Sequence, residues 1–401
     1  MAAAAIIEDK PQTPALSPAV REYGLDWLRV FAFCLLILYH SGMAFVSWDW
    51  HLKNPQQSRT LEFFMLVVNR WRLPLLFLIS GAGVFFSLRR RSYLEFSGER
   101  LKRLLIPLLV GMFVIVPPQI YFERISKGAQ YTYAEFYPSI FQFVPYPQGS
   151  FSWHHLWFVA YILVYSLLGI PFFMFLRSRA GGNLVAAMVG AFERWPLLIY
   201  LVNVPNLLVG VILGPHWPTT NNLIADWANL TGAFLTFLWG FVMASNRDFL
   251  NLITSRRREF LMVGLAVATV YFTARYSGLT RNWSGPASLW FWTTVSSYYG
   301  MTWIFALVGF ARAHITQPSR WLAYATEAVY PFYIFHQTIT VAIVYCVIPW
   351  TLGVWTKLAI VAVITFAGSW VLFEIVRRIR ILRPLFGLKN SHRDRTGSIR
   401  E

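Results

Sequence analysis

An arginine and a histidine stand eleven positions apart, Arg29 and His40, inside the apolar run LDWLRVFAFCLLILYHSGMAF. Imidazole takes and gives protons near neutral pH, and guanidinium grips phosphate or carbonyl oxygen. At 100° per residue, eleven residues turn a helix about 20° past three full turns, so both side chains share one face, ~16 Å apart along the axis. Asp26 lies one turn before Arg29 on that face and is placed to orient it. Ionisable groups within an apolar span are costly and mark functional sites. Alone, Arg29 would serve as a charge anchor at the membrane boundary, and His40 as an interhelical hydrogen bond. Together they read as a catalytic face running across the bilayer.

A second apolar run, NRWRLPLLFLISGAG, places Arg72 well inside its outer half. Such a guanidinium must face a pocket, the bundle interior or an acidic partner, and Glu62 is about 15 Å away on the same helix. Arg70 is near enough to the interface to snorkel. Ser80, Gly81 and Gly83 suit close helix packing. His155 opens the run HLWF and His336 lies within YPFYIFHQT. Arg72, His155 and His336 are candidate substrate-binding groups, and both histidines also suit structural donation. Glu374 is expected to pair with a neighbouring arginine. Cys34 and Cys346 form no disulfide framework or metal motif and are expected to be packing residues. A Gly-rich phosphate loop, HExxH, CxxC and GxSxG are all missing. No metal and no bound cofactor is expected, and a group donor would be a diffusible substrate.

The elements that position these residues follow from composition. The chain has 401 residues, 56% hydrophobic and 13% charged, with a mean hydropathy of +0.48. A soluble surface needs more charge, and long unbroken apolar runs exclude a β-barrel. Ten runs approach or exceed the length that crosses hydrocarbon: 27–47, 61–88, 104–122, 156–176, 196–213, 227–243, 260–274, 289–310, 325–347 and 354–376. The expected fold is all-α, a polytopic membrane helix bundle of about ten transmembrane helices. With the N-terminus inside, cytoplasmic segments hold 25 Lys and Arg and outer segments hold seven. That asymmetry predicts N-in and C-in. The net charge of +17 therefore reports topology and does not point to nucleic acid. Residues 1–25 read as a cytoplasmic tail without a signal-peptide core, 26–378 as the membrane domain, and 379–401 as a basic, disordered cytoplasmic tail. The longest outer connection, 123–155, is rich in Tyr, Phe and Pro. It suits both interface anchoring and a glycan-facing lid. No internal repeat is visible, which removes one common signature of transporters.

Arg29 and His40, followed in order by RLPLLFLISG, ERLKRLLIPLL, HLWF and YPFYIFHQT, resemble the acyltransferase family 3 membrane proteins. The flanking segments REYGLDWLR and EIVRRIRILRPLFG are similar to the branch of that family that succinylates periplasmic glucans. The resemblance covers residues 21–389. It implies an acyl-CoA-dependent O-acyltransferase in the bacterial inner (cytoplasmic) membrane. The family typically moves an acyl group from cytoplasmic acyl-CoA to a hydroxyl of an extracytoplasmic carbohydrate. It also implies that Arg29 and His40, with Asp26, form the core of the site, and that Arg72, His155 and His336 line it. His40 would act as general base or carry the acyl group covalently; acetyl and succinyl both remain open. The partners implied are acyl-CoA, a glycan acceptor and membrane lipid. A transporter or flippase for a glycan or lipid-linked sugar would also explain many spans with intramembrane charge, and a non-catalytic scaffold explains the charges poorly.

Overall fold

The computed structural model describes residues 21–389, and among them the architecture is entirely helical apart from one isolated bridge, Pro145 to Phe151. The principal helices are α1 (Tyr23–Gly42), α2 (Arg59–Leu88), α3 (Tyr93–Ser126), α4 (His154–Leu168), α5 (Ile170–Arg177), α6 (Arg179–Arg194) and α7 (Pro196–Ile212). They continue with α8 (Trp227–Ser245), α9 (Arg247–Ser255), α10 (Arg257–Tyr276), α11 (Gly285–His314), α12 (Arg320–Val347), α13 (Val354–Arg378) and the short α14 (Leu382–Leu385).

Each of the ten apolar runs is helical, but they are not equal. Six helices are long and apolar enough to cross a membrane: α1, α2, α3, α8, α12 and α13. A seventh is formed if α4 and α5, bent by 51° at Gly169, count as one span. The others differ for identifiable reasons. α7 is short, α10 carries charge at both ends around a short apolar centre, and α11 is diluted by Ser, Thr, Trp and Tyr.

Proline shapes the helices that carry the site. Pro74 and Pro331 lie inside α2 and α12, where each removes a backbone donor. In α3, Leu101–Leu105 and Gly111–Ile115 widen into π-helical turns, leading into Pro107 and Pro117. Pro117 leaves the carbonyl of Phe113 without its helical donor, and the Tyr137 hydroxyl supplies one at 3.0 Å. Such widened turns accommodate residues that helical geometry would otherwise misplace.

α2 and α8 cross at glycine. A Cβ on Gly81 would lie 1.8 Å from the Phe237 carbonyl oxygen, and one on Gly240 would lie 1.8 Å from that of Leu78. Gly83 faces open space, so the close packing expected of both glycines falls to Gly81 alone. α1 is the central helix, packed against α2, α11, α12 and α13. Cys34 and Cys346 are exposed and unpaired. They stand on outward faces of α1 and α12 and are not the packing residues expected. Glu374 takes Arg377 at 3.7 Å and Arg378 at 3.0 Å. Residues 379–389 pack on the bundle where a disordered extension was expected: Arg383 pairs with Glu327 at 3.0 Å, and Phe386 meets Phe335 at 4.8 Å between ring centroids. The rest of both expected tails, 1–20 and 390–401, lies outside the described residues.

Candidate active site

Three candidate histidines from distant parts of the chain converge. His40 sits in the last turn of α1, His336 in the middle of α12, and His155 in the first turn of α4. His40 Nδ1 is 2.8 Å from His336 Nε2, and the two rings lie nearly parallel with centroids 5.0 Å apart. His155 meets His336 edge-on at 5.3 Å.

The hydrogen bonds assign the protons. His336 Nδ1 is 2.7 Å from the Tyr333 carbonyl, which only accepts, so that nitrogen carries the hydrogen. In a neutral ring Nε2 must then accept, and His40 Nδ1 must donate to it. His40 Nε2 is left as a lone pair with no hydrogen bond to a described residue. His155 is committed at both nitrogens. Its Nε2 donates to the Ile334 carbonyl at 3.0 Å, and its Nδ1 accepts from Gln119 at 3.4 Å. The Tyr333 hydroxyl also bonds the His155 carbonyl. His155 thus holds α4 against α12 and walls His336, and no ring nitrogen remains for a substrate.

Arg72 reaches the same place from α2. It is 5% exposed, its guanidinium lies 3.5 Å from the centroid of Tyr39, and its Nε and Nη1 have no hydrogen-bond partner among the described residues. Glu62, the nearest acid in sequence, accepts instead from Ser47. Tyr39 is beside His40 in sequence and donates to Asn69 at 3.2 Å. The charged groups that bear on His40 include Arg72. A buried guanidinium with free N–H groups, close enough for its charge to bear on His40, suits a developing negative charge.

Arg29 and Asp26 occupy the opposite end of α1. Asp26 bridges Arg29 at 3.4 Å and Arg21 at 2.9 Å, and Arg103 is among the charges bearing on Arg29. The face between Arg29 and His40 is filled by Phe33, Leu36 and Ile37, all buried. Phe33 packs edge-on to Tyr333 and Phe158. The shared face thus runs from a basic end to a histidine end and is interrupted between them by an apolar plug, so it does not run unbroken across the bilayer as expected.

Sequence reading did not anticipate the polar chain beyond His155. Gln337 Nε2 donates to Gln119 Oε1 at 3.2 Å and to His51 Nε2 at 3.1 Å, and His51 Nδ1 then donates to Glu123 at 2.6 Å. Lys127 and Tyr146 also donate to Glu123, at 2.6 and 2.7 Å. Burial first, and the bond to Glu123 second, push the Tyr146 phenol well above its usual pKa, so it remains a donor. His154 stacks on His51 at 4.9 Å, and its Nε2 is unpartnered. His51, Glu123 and His154 could ligate a cation, since one ligand atom from each lies within 4.8 Å of the others. Glu123 is already matched by Lys127, so the cluster closes as an ion-pair network. The one signal in the sequence was the adjacent pair His154–His155. His51 and Glu123 are separated by 72 residues, too far for any local spacing to announce.

The acyltransferase family 3 model, an acyltransferase domain, matches residues 22–374. The chain belongs to acyltransferase family 3. Glucans biosynthesis protein C of Escherichia coli O81 (strain ED1a) is 21% identical over 382 residues, 93% of this chain and 96% of that protein. Proteins of the same name from E. coli SMS-3-5 and K12 are 28% and 27% identical over 165 residues, which is 41% of their length. No solved structure matches the chain. The family match spans α1 to α13 and so includes all six residues singled out from the sequence.

Proposed function

We propose that this family 3 protein is a membrane O-acyltransferase that moves an acetyl or succinyl group from cytoplasmic acyl-CoA to a hydroxyl of an extracytoplasmic carbohydrate, such as a periplasmic glucan. The observation that carries the reading is the orientation of the His40–His336 pair, whose hydrogen bonds leave a lone pair on His40 Nε2, with the unpaired N–H groups of Arg72 on the neighbouring Tyr39 ring. The acceptor oxygen attacks the thioester carbonyl while its proton passes to His40 Nε2. Arg72 receives the oxyanion. As the carbon–sulfur bond breaks, the same proton moves to the departing CoA thiolate. Protons balance within one turnover, and His336 keeps His40 in the required tautomer.

The carbohydrate assignment rests on the relatives named for glucan biosynthesis and on the aromatic loop 127–153. The cytoplasmic donor rests on the N-in orientation expected from the distribution of Lys and Arg, with Arg100 and Arg103 bearing on one another and on Arg29 at the basic end of α1, placed to meet the phosphates of CoA. Replacing the base tests the reading. His40→Ala is expected to leave an inserted, monodisperse protein whose transfer from acyl-CoA falls by ~10²–10⁴-fold. Transfer near wild-type rate would remove His40 from the mechanism. A glycan transporter predicts no acyl-CoA consumption by wild type at all.

A further inference from the structure

A cavity of about 350 Å³ is lined by α2, α4, α7, α8 and α11, and it adjoins the histidine site through Asn69, which bonds Tyr39. Its wall includes the amides of Asn69, Asn203, Asn206 and Asn229 and the indoles of Trp157 and Trp239. Two of those amides are half-satisfied. Asn203 is 3% exposed and accepts from Ser297 at 3.0 Å, but its Nδ2 has no partner. Asn206 donates to Thr236 at 3.2 Å, but its Oδ1 has none. One donor and one acceptor are thus held unpaired in a helix bundle with little else to satisfy them. A third wall residue, Asn69, accepts from Tyr39, which carries Arg72 and adjoins His40.

We infer that this cavity seats one sugar ring of the acceptor and presents it to His40, an inference that rests on the acyltransferase reading. A hydroxyl both donates and accepts, so neighbouring hydroxyls satisfy Asn203 and Asn206 together, while the C–H face of a pyranose lies on an indole. An acyl chain would leave both amides unpaired. A phosphate would bring an anion against the Asn206 carbonyl oxygen. The pantetheine arm has amides, but the cavity belongs to the wrong side for it. Asn69 lies in the first half of α2, which enters from the outer face under the N-in topology. The volume is at the low end for ligand pockets, which suits one monosaccharide unit with the rest of the polymer outside.

Gly232 gives a clean test. It lines the cavity on α8, and a Cβ there would meet nothing closer than 3.8 Å. Gly232→Met therefore fills the space without a backbone clash. Wild type, Gly232→Met and Asn206→Leu are purified in nanodiscs and their folding is checked by thermal melting. Each is then titrated with a short gluco-oligosaccharide by tryptophan fluorescence, and assayed for transfer and for acyl-CoA hydrolysis. The expected result is saturable quenching in wild type that weakens at least tenfold in both variants. KM for the oligosaccharide should rise tenfold, with KM for acyl-CoA and the hydrolysis rate unchanged. Unaltered oligosaccharide binding in folded Gly232→Met overturns the inference. A rise in KM for acyl-CoA alone also overturns it, by assigning the cavity to the donor. If wild type transfers to no acceptor, the acyltransferase reading fails, and quenching by the oligosaccharide still decides the cavity.

Discussion

Arg72 is the residue whose environment is most demanding, because a guanidinium buried over Tyr39 with two unpaired nitrogens needs a negatively polarised ligand. Two ligands meet that need: the oxyanion of any acyl transfer, and the free carboxylate of a succinyl group through a bidentate bond. They differ in their response to Arg72→Gln. If the oxyanion is the ligand, kcat should fall by roughly 10²–10³-fold for acetyl-CoA and succinyl-CoA alike. If the carboxylate is the ligand, succinyl transfer should fall far more than acetyl transfer. Competing the two thioesters on wild type and mutant measures the ratio directly. Equal losses remove the carboxylate role, and no loss returns Arg72 to packing.

Among the elements, α1 carries a basic end and a histidine end on either side of an apolar plug, and α2, which packs on α1, crosses α8 at glycine. The planar fork of Arg29, braced by Asp26, is not matched by lysine. Arg29→Lys is therefore expected to raise KM for acyl-CoA while leaving insertion unchanged; wild-type kinetics would make Arg29 only a topology anchor. The α2–α8 crossing predicts a contrast between glycines. Gly240→Leu drives a side chain into the Leu78 carbonyl and should cost more than about 3 kcal/mol, beyond ordinary overpacking. Gly83→Ala, facing open space, should be stabilising by about 0.5–1 kcal/mol. Thermal melting in one detergent compares them, and equal melting temperatures would refute the crossing.

For the whole molecule, the distribution of basic residues predicts sidedness. With Cys34 and Cys346, both exposed, replaced by serine, a cysteine introduced at Gln56 should react with a membrane-impermeant maleimide in intact cells. One at Arg90 should react only after permeabilisation. The reverse pattern would place His40 on the cytoplasmic side and overturn the donor and acceptor assignment. Six helices satisfy length and apolarity, and a bent pair makes a seventh. Of the remaining helical runs, α7 and α11 line the cavity and α10 packs on α11.

Periodicity and residue type were enough to mark the helical runs, the shared face of Arg29 and His40, the isolation of Arg72 and the motifs that signal the family. These are local properties, set by 100° per residue and by the cost of charge in hydrocarbon. Tertiary structure alone decided that His336, 296 positions from His40, is its hydrogen-bond partner, and that His155 spends both ring nitrogens on structure. It also decided that the Arg29–His40 face is plugged by Phe33 and Leu36, and that His51 meets Glu123. Contacts between helices depend on which faces meet and at what depth, and the widened turns at Leu101–Leu105 and Gly111–Ile115 and the bend at Gly169 shift those faces. No spacing within one helix encodes that outcome.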